Sequence, residues 1–220
     1  MPQSPISHET PLAILGGTFD PIHNGHLRFA EEVATALAIG EVRLLPAGQP
    51  PHRSPPIVSA EHRLVMTHLA TSGNPILRVD GREVRRSDPS YTVVTLEEIR
   101  REIGKRPLCL LMGADAFFGL PYWHRWRELF ALAHVVVASR PGYELTSTLP
   151  IGLQPIWDKS FTRDIEALRD EPGGLIYHQK ITSLDIAANR IRDLIKSGHS
   201  ARYLLPDTVL EYIHKNGLYR

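Results

Sequence analysis

Cysteine is nearly missing: Cys109 is the single one in 220 residues, which excludes an intrachain disulfide and leaves stability to a packed core. Cys109 lies in the apolar stretch "PLCLLMG", where an inert buried thiol is expected rather than a nucleophile. An excess of one charge is missing too. Twenty-five Lys and Arg face 24 Asp and Glu, a net charge of +1. No global field therefore suits long nucleic acid or an anionic membrane, and any anion has to be met by a local site. Runs of about eighteen uncharged apolar residues do not occur. The opening "MPQSPISHETP" lacks the basic start and apolar stretch of an export signal. The chain reads as cytoplasmic, with no membrane or nucleic-acid partner, and nothing in it sets an oligomeric state. Repeats, low-complexity tracts and heptads are absent, as are the phosphate fingerprints G-x-x-x-x-G-K-[ST] and G-x-G-x-x-G.

What the chain does have is alternation. Short runs rich in Val, Ile and Leu ("LAILGG", "VRLLPAG", "ILRVD", "LCLLMGAD", "HVVVASR") are separated by stretches with helical spacing. This pattern predicts an α/β fold, a Rossmann-like doubly wound parallel sheet with helices on both faces and ligands beyond the carboxyl ends of the strands. The length suits one domain over residues 1–220, with a C-terminal helical portion from about residue 184. A first helix is expected from Asn24 or Gly25 to about Ala38, stopped by Gly40, with Leu27, Ala30, Val33, Ala34 and Leu37 inward. Ser59 caps a second, with Leu64, Val65 and Leu69 inward. A third starts around "PSYT" and turns Val93, Val94, Leu96 and Ile99 to the core. Residues 141–160 show no clear periodicity. "DIAANRIRDLIKSG" and the stretch after Pro206 supply the last two helices.

The chemistry concentrates in "LGGTFDPIHNGHLRFAEE", Leu15 to Glu32. Gly16 and Gly17 let the backbone turn and approach a bulky ligand closely. The first turn of the following helix offers free amides and the positive end of its dipole to an anion. His23 and His26, three residues apart, can aim ring N–H groups at that same anion. A zinc pair is the competing use, but zinc normally needs a third protein ligand, and none stands at a recognisable spacing. Phosphate handling is the expectation.

"GGTFDPIHNGH" resembles the H-x-G-H nucleotidyltransferase superfamily, written here His23-Asn24-Gly25-His26. Class I aminoacyl-tRNA synthetases share the motif but usually carry a K-M-S-K-S segment and a tRNA-binding domain, neither of which is evident. With "LLPAGQPPHR", "PSYTVVTLEEIR", "LMGADAF", "LPYWHRW" and "ASRPGY", the resemblance narrows to bacterial nicotinate-nucleotide adenylyltransferases and runs from about Leu12 to the terminal "NGLYR". It implies transfer of AMP from ATP, accompanied by Mg²⁺, to nicotinate mononucleotide, giving nicotinate adenine dinucleotide and pyrophosphate in NAD biosynthesis. Alternatives are a nicotinamide-mononucleotide or phosphopantetheine adenylyltransferase, or a non-enzymatic nucleotide-binding module.

The resemblance also implies roles. His23 and His26 would serve as donors to ATP phosphate oxygens, with Gly16, Gly17, Thr18 and Phe19 against the nucleotides. Asp20 either supports this loop or caps the turn before Pro21. His52 and Arg53, after the Pro50-Pro51 turn, suit phosphate contact, with an exposed loop pair as the alternative. Asp115, behind Gly113, would reach the nucleotide rather than cap the next helix. Tyr91 and Thr92 stand at a helix mouth that could bind the pyridine carboxylate. Trp123 would stack on the pyridine ring, while Trp126 defaults to packing. Arg140 would reinforce the carboxylate end or the acceptor phosphate. Relatives carry an I-S-x-T-x-x-R segment where this chain has Ile186, Ala187, Ala188, Asn189, Arg190, Ile191 and Arg192. Two hydroxyls are lost there; Ile186 and the arginine, Arg192, are kept, and Arg190 reads as a solvated helix residue.

Overall fold

The computed structural model describes residues 10–51, 55–139, 149–182 and 184–220. Its centre is a seven-stranded parallel sheet in the order β3-β2-β1-β4-β5-β7-β6. The strands are β1 (Leu12–Gly17), β2 (Glu41–Pro46), β3 (Leu77–Val79), β4 (Leu108–Gly113), β5 (His134–Ser139), β6 (Phe161–Thr162) and β7 (Ile176–Lys180). The helices are α1 (Asn24–Ala36), α2 (Ala60–Thr71), α3 (Arg82–Arg85), α4 (Thr92–Ile103), α5 (Ala114–Phe118), α6 (Leu129–Leu132), α7 (Gln154–Ser160), α8 (Ala167–Asp170), α9 (Ala188–Lys196) and α10 (Asp207–Lys215). No helix among the described residues is long and apolar enough to cross a membrane.

The two-residue period of a strand decides which side chain joins which core. Ala13, Leu15, Val42, Leu44, Cys109, Leu111 and Val136 face one side and pack with Ala30, Val33, Met66, Ile191, Val209 and Ile213 from α1, α2, α9 and α10. Leu12, Ile14, Leu108, Leu110, Met112, Val135 and Val137 face the other and pack with Val93, Leu96, Ile99, Phe117, Leu129 and Trp157. Strands apolar at every position thus make the middle of a sheet covered on both faces. This is the doubly wound α/β fold expected from the alternation. Cys109 is fully buried, and burial pushes its thiol up to about 12.

Three details differ from the sequence reading. Helix α1 ends at Ala36, and Ala38 rather than Gly40 takes the left-handed turn that stops it, with φ of 49°. Ser59 does cap α2, accepting from the His62 N–H at 3.4 Å. The inner face of that helix is Arg63, Met66, Thr67 and Thr71, while Val65 is 38 % exposed and Leu64 and Leu69 are half-buried. The stretch without periodicity contains α7, whose Trp157 stacks on Phe161 at 4.3 Å between centroids.

Candidate active site

Strand order reverses between β1 and β4: the chain runs outward to β2 and β3 from one, and to β5, β7 and β6 from the other. A crevice beyond the carboxyl ends of two such strands is where doubly wound folds bind ligands. Both strands end in glycine. A Cβ added to Gly16 or to Gly113 would meet nothing within 4 Å, so neither glycine is demanded by internal packing, and both leave the crevice open. Gly17 is different, since a Cβ there would lie 2.6 Å from the Phe19 ring. Phe19, at φ of 49°, folds that ring back under the loop and is itself buried.

The loop delivers His23 to the N-cap of α1 and His26 to its first turn. Their rings stack at 3.7 Å between centroids and 24° between planes. Gly25 is needed beneath them, because a Cβ there would stand 3.0 Å from His23 Nδ1. The backbone N–H of His23 donates to Nδ1 of His26 at 3.3 Å, so His26 carries its proton on Nε2. His23 is 5 % exposed, and burial holds its imidazole down to about 4, neutral at pH 7. Its Nδ1 is buried with no hydrogen-bond partner among the described residues. Two rings at this separation could not both be charged without strong repulsion, whereas two neutral rings can each present one N–H to an anion.

Three distant segments converge on Asp20. Oδ2 accepts from the Ile57 N–H at 2.8 Å, and Oδ1 from the Tyr219 hydroxyl at 2.7 Å. Its carbonyl accepts from Arg192 Nη1 at 2.7 Å. Of the two readings left open for Asp20, the structure favours support: the carboxylate joins the loop to residues far along the chain. Arg192 makes no other hydrogen bond among the described residues, so most of its five donors remain available beside the histidine loop. Arg190 is exposed, as a solvated helix residue should be.

The start of α9 approaches α1 directly, since Ile186 Cβ would lie 3.6 Å from a Cβ on Gly25. Ala187 caps α9 without a side-chain hydrogen bond, and Asn189 Oδ1 takes up the Arg190 N–H at 2.9 Å. Of the first amides of this helix, that of Arg190 is thus covered by the Asn189 side chain, while Ala187 and Ala188 bring no side-chain acceptor.

A second cluster forms at the mouth of α4. Tyr91 is the N-cap, and no side chain caps the helix. Ser90, just ahead of it, has its Oγ accepting from the Gly48 and Gln49 N–H groups at 2.9 and 3.1 Å. The Tyr91 ring lies 4.3 Å from that of His124, which brings the Leu120–His124 segment and its half-buried Trp123 to this mouth. Trp126 is buried, 7 % exposed, as packing requires. Asp115 is exposed in the first turn of α5, next to open Gly113. His52, Arg53 and Arg140 lie outside the described residues.

Sequence reasoning missed Arg63 and His124. Arg63 is 1 % exposed and donates to the carbonyls of Thr18 at 2.6 Å, Gly48 at 3.0 Å and Val58 at 3.4 Å. An arginine in a helix reads as a solvated side chain, and only its companions Thr67 and Thr71 on the same face hint otherwise.

The cytidylyltransferase-like family model matches residues 14–197. A protein of Dechloromonas aromatica named "Probable nicotinate-nucleotide adenylyltransferase" is 51 % identical over 212 residues, covering 96 % of this chain and 98 % of its own. One of the same name from Methylococcus capsulatus is 47 % identical, with 94 % and 99 % covered. The fold is shared with Plasmodium falciparum nicotinic acid mononucleotide adenylyltransferase complexed with NaAD, at a TM-score of 0.70, 17 % identity and coverage of 96 % and 97 %. With identity near one half along nearly the whole chain, and the H-x-G-H histidines stacked at the mouth of α1, the chain belongs to the cytidylyltransferase-like family and, within it, to the nicotinate-nucleotide adenylyltransferases.

Proposed function

We propose that the protein transfers AMP from ATP to nicotinate mononucleotide. An oxygen of the acceptor phosphate bonds to the α-phosphorus as the α–β anhydride bond breaks, releasing pyrophosphate and nicotinate adenine dinucleotide. The observation that carries this reading is the convergence of His23, His26 and Arg192 on one loop beside the open ends of β1 and β4. The acceptor phosphate is already an anion, so the reaction requires alignment and charge stabilisation rather than a strong base. His23, neutral at pH 7, is suited to donate a ring N–H to a phosphate oxygen without carrying a cation into the site. His26, with its proton fixed on Nε2, is suited to do the same, and Arg192 adds a permanent positive charge. Gly16, Gly17, Thr18 and Phe19 would line the nucleotide, Ile186 the phosphate end, and Gly113 and Asp115 the sugar.

At the other end, the mouth of α4 at Tyr91 and Thr92, which no side chain caps, suits a carboxylate through the positive end of the helix, and Trp123 a planar pyridine ring. His52, Arg53 and Arg140 belong to this proposal through family resemblance. Mg²⁺ would accompany ATP and neutralise phosphate charge, held by phosphate oxygens and water. Among the described residues, no three His, Cys, Asp or Glu side chains converge into a cage for it. The test is pyrophosphate release from MgATP with nicotinate mononucleotide, nicotinamide mononucleotide and phosphopantetheine supplied in parallel. Fastest release with the first is expected. No release with it, or faster release with either of the others, would overturn the assignment.

A further inference from the structure

Arg63 is one of the largest fully buried side chains of the protein, yet no carboxylate among the described residues forms an ion pair with it. Burying a guanidinium is costly, and a hydrophobic residue of similar volume would fill the space with less penalty. The compensation comes from backbone. Its three hydrogen bonds go to carbonyls of two loops: Thr18 after β1, and Gly48 and Val58 at the two ends of the connection between β2 and α2. The planar fork of arginine can hold such acceptors at fixed mutual angles, which the single ammonium of lysine does not.

The link continues beyond Gly48. In a trans peptide the carbonyl and the next N–H point in opposite directions. Arg63 holds the Gly48 carbonyl on one side, and the Gln49 N–H on the other donates to Ser90 Oγ at 3.1 Å. Gly48 cannot be replaced there, because a Cβ would stand 2.2 Å from the Glu83 carbonyl. Ser90 also donates its own N–H to the Gln49 carbonyl at 2.9 Å and directly precedes Tyr91, the N-cap of α4. One continuous path therefore runs from Thr18 through Arg63, the 48–49 peptide and Ser90 to the mouth of α4.

We infer that Arg63 is a positioning residue that sets the spacing between the triphosphate loop at Thr18 and the pyridine-carboxylate site at the mouth of α4, so that the acceptor phosphate lines up with the α-phosphorus. The inference rests on the proposed function for what occupies the two ends. Each substrate binds at its own end of the path, so loosening it disturbs alignment more than either binding event. A misplacement of about 1 Å can cost roughly 10²-fold in rate.

The experiment compares wild type, Arg63→Lys, Arg63→Met, Ser90→Ala and the Arg63→Lys/Ser90→Ala double variant. Steady-state kinetics with MgATP and nicotinate mononucleotide are read beside amide hydrogen exchange. The expected result is a kcat lowered by about 30-fold or more in Arg63→Met, with each KM within about threefold of wild type. Arg63→Lys should fall between the two. Peptides covering residues 17–22, 47–51 and 88–93 should lose protection together while β4 and β5 stay protected. The double variant should be no slower than the worse single one, because both changes cut one path. If Arg63→Met does not fold, the lysine variant and the cycle with Ser90→Ala carry the same test. A kcat within threefold of wild type, multiplicative effects in the double variant, or protection lost evenly across the sheet would each overturn the inference. Wild type failing to use nicotinate mononucleotide would instead strike the functional reading, and the exchange pattern would still decide whether the path exists.

Discussion

The phenol of Tyr219 donates to the carboxylate of Asp20 across 199 positions, at 2.7 Å and out of contact with water. The end of the chain is thereby tied to the loop that delivers the two histidines. Burial and the neighbouring carboxylate push the Tyr219 hydroxyl far above its usual range, so it remains a donor at every working pH.

Tyr219→Phe should therefore cost about 1–3 kcal/mol, the penalty for a buried oxygen left without its donor. Urea unfolding should show a lower midpoint, with Arg220→Ala beside it unchanged. Equal midpoints for the phenylalanine variant and wild type would mean that the tie does not bear on stability.

The tautomer assigned to His26 distinguishes two amide replacements. Glutamine can place its N–H₂ near the position of Nε2, whereas asparagine reproduces only the Nδ1 side that meets the His23 N–H. Turnover is expected to fall by about 10² or more in His26→Ala and in His23→Ala, with native circular dichroism. His26→Gln should retain more activity than His26→Asn. The reverse order would place the working nitrogen at Nδ1.

His23 also links stability to pH. The unfolded chain protonates it near its ordinary value of 6.5, while the folded protein resists down to about 4. Its contribution is complete above that ordinary value, is lost progressively as pH falls from 6.5 toward 4, and changes no further below. The full swing is at most about 3 kcal/mol. Burial lowers His134 and His178 in the same direction, so denaturation midpoints should be compared with His23→Asn, in which those two remain. The gap between wild type and variant should shrink on acidification; a constant gap would contradict the assignment.

Arg192→Ala should damage catalysis more than Arg190→Ala, since Arg192 alone reaches the Asp20 carbonyl while Arg190 is exposed. Comparison of kcat at saturating substrates decides it, and equal losses would remove Arg192 from its assigned place.

Preference for acid over amide should reside in the α4 mouth. The amide N–H₂ of nicotinamide mononucleotide would face donors and leave them unpaired, whereas a stacking ring feels both pyridines nearly alike. The ratio of kcat/KM for the two acceptors should be roughly tenfold or more in wild type and persist in Trp123→Ala, with weaker binding of both. A preference that vanished with Trp123 would relocate its origin to the ring.

The sheet was legible because its inner strands are apolar on both faces, and α1 because its buried positions recur at helical spacing. The histidine loop was legible because its residues are neighbours in sequence. β7 was not: its "IYHQK" buries only Ile176 fully, so no apolar run marks it. The phase of α2 was misjudged because a buried Arg63 and two buried threonines occupy positions that periodicity assigns to solvent. Asp20 with Tyr219, and Thr18 with Arg63, are pairings that only the folded chain creates, through a carboxylate and a carbonyl whose partners lie 199 and 45 residues away.

Cys109 is the second residue of the central strand β4, fully buried and aligned with Ala13 on one neighbouring strand and His134 on the other. No local opening of a loop or helix end uncovers it; the sheet itself has to come apart. Its alkylation therefore acts as a clock for global unfolding, silent while the protein works and counting only the molecules that have lost their centre. The same silence gives every cysteine introduced at the surface a unique chemical address, so spectroscopic labels can be attached without first removing the native thiol.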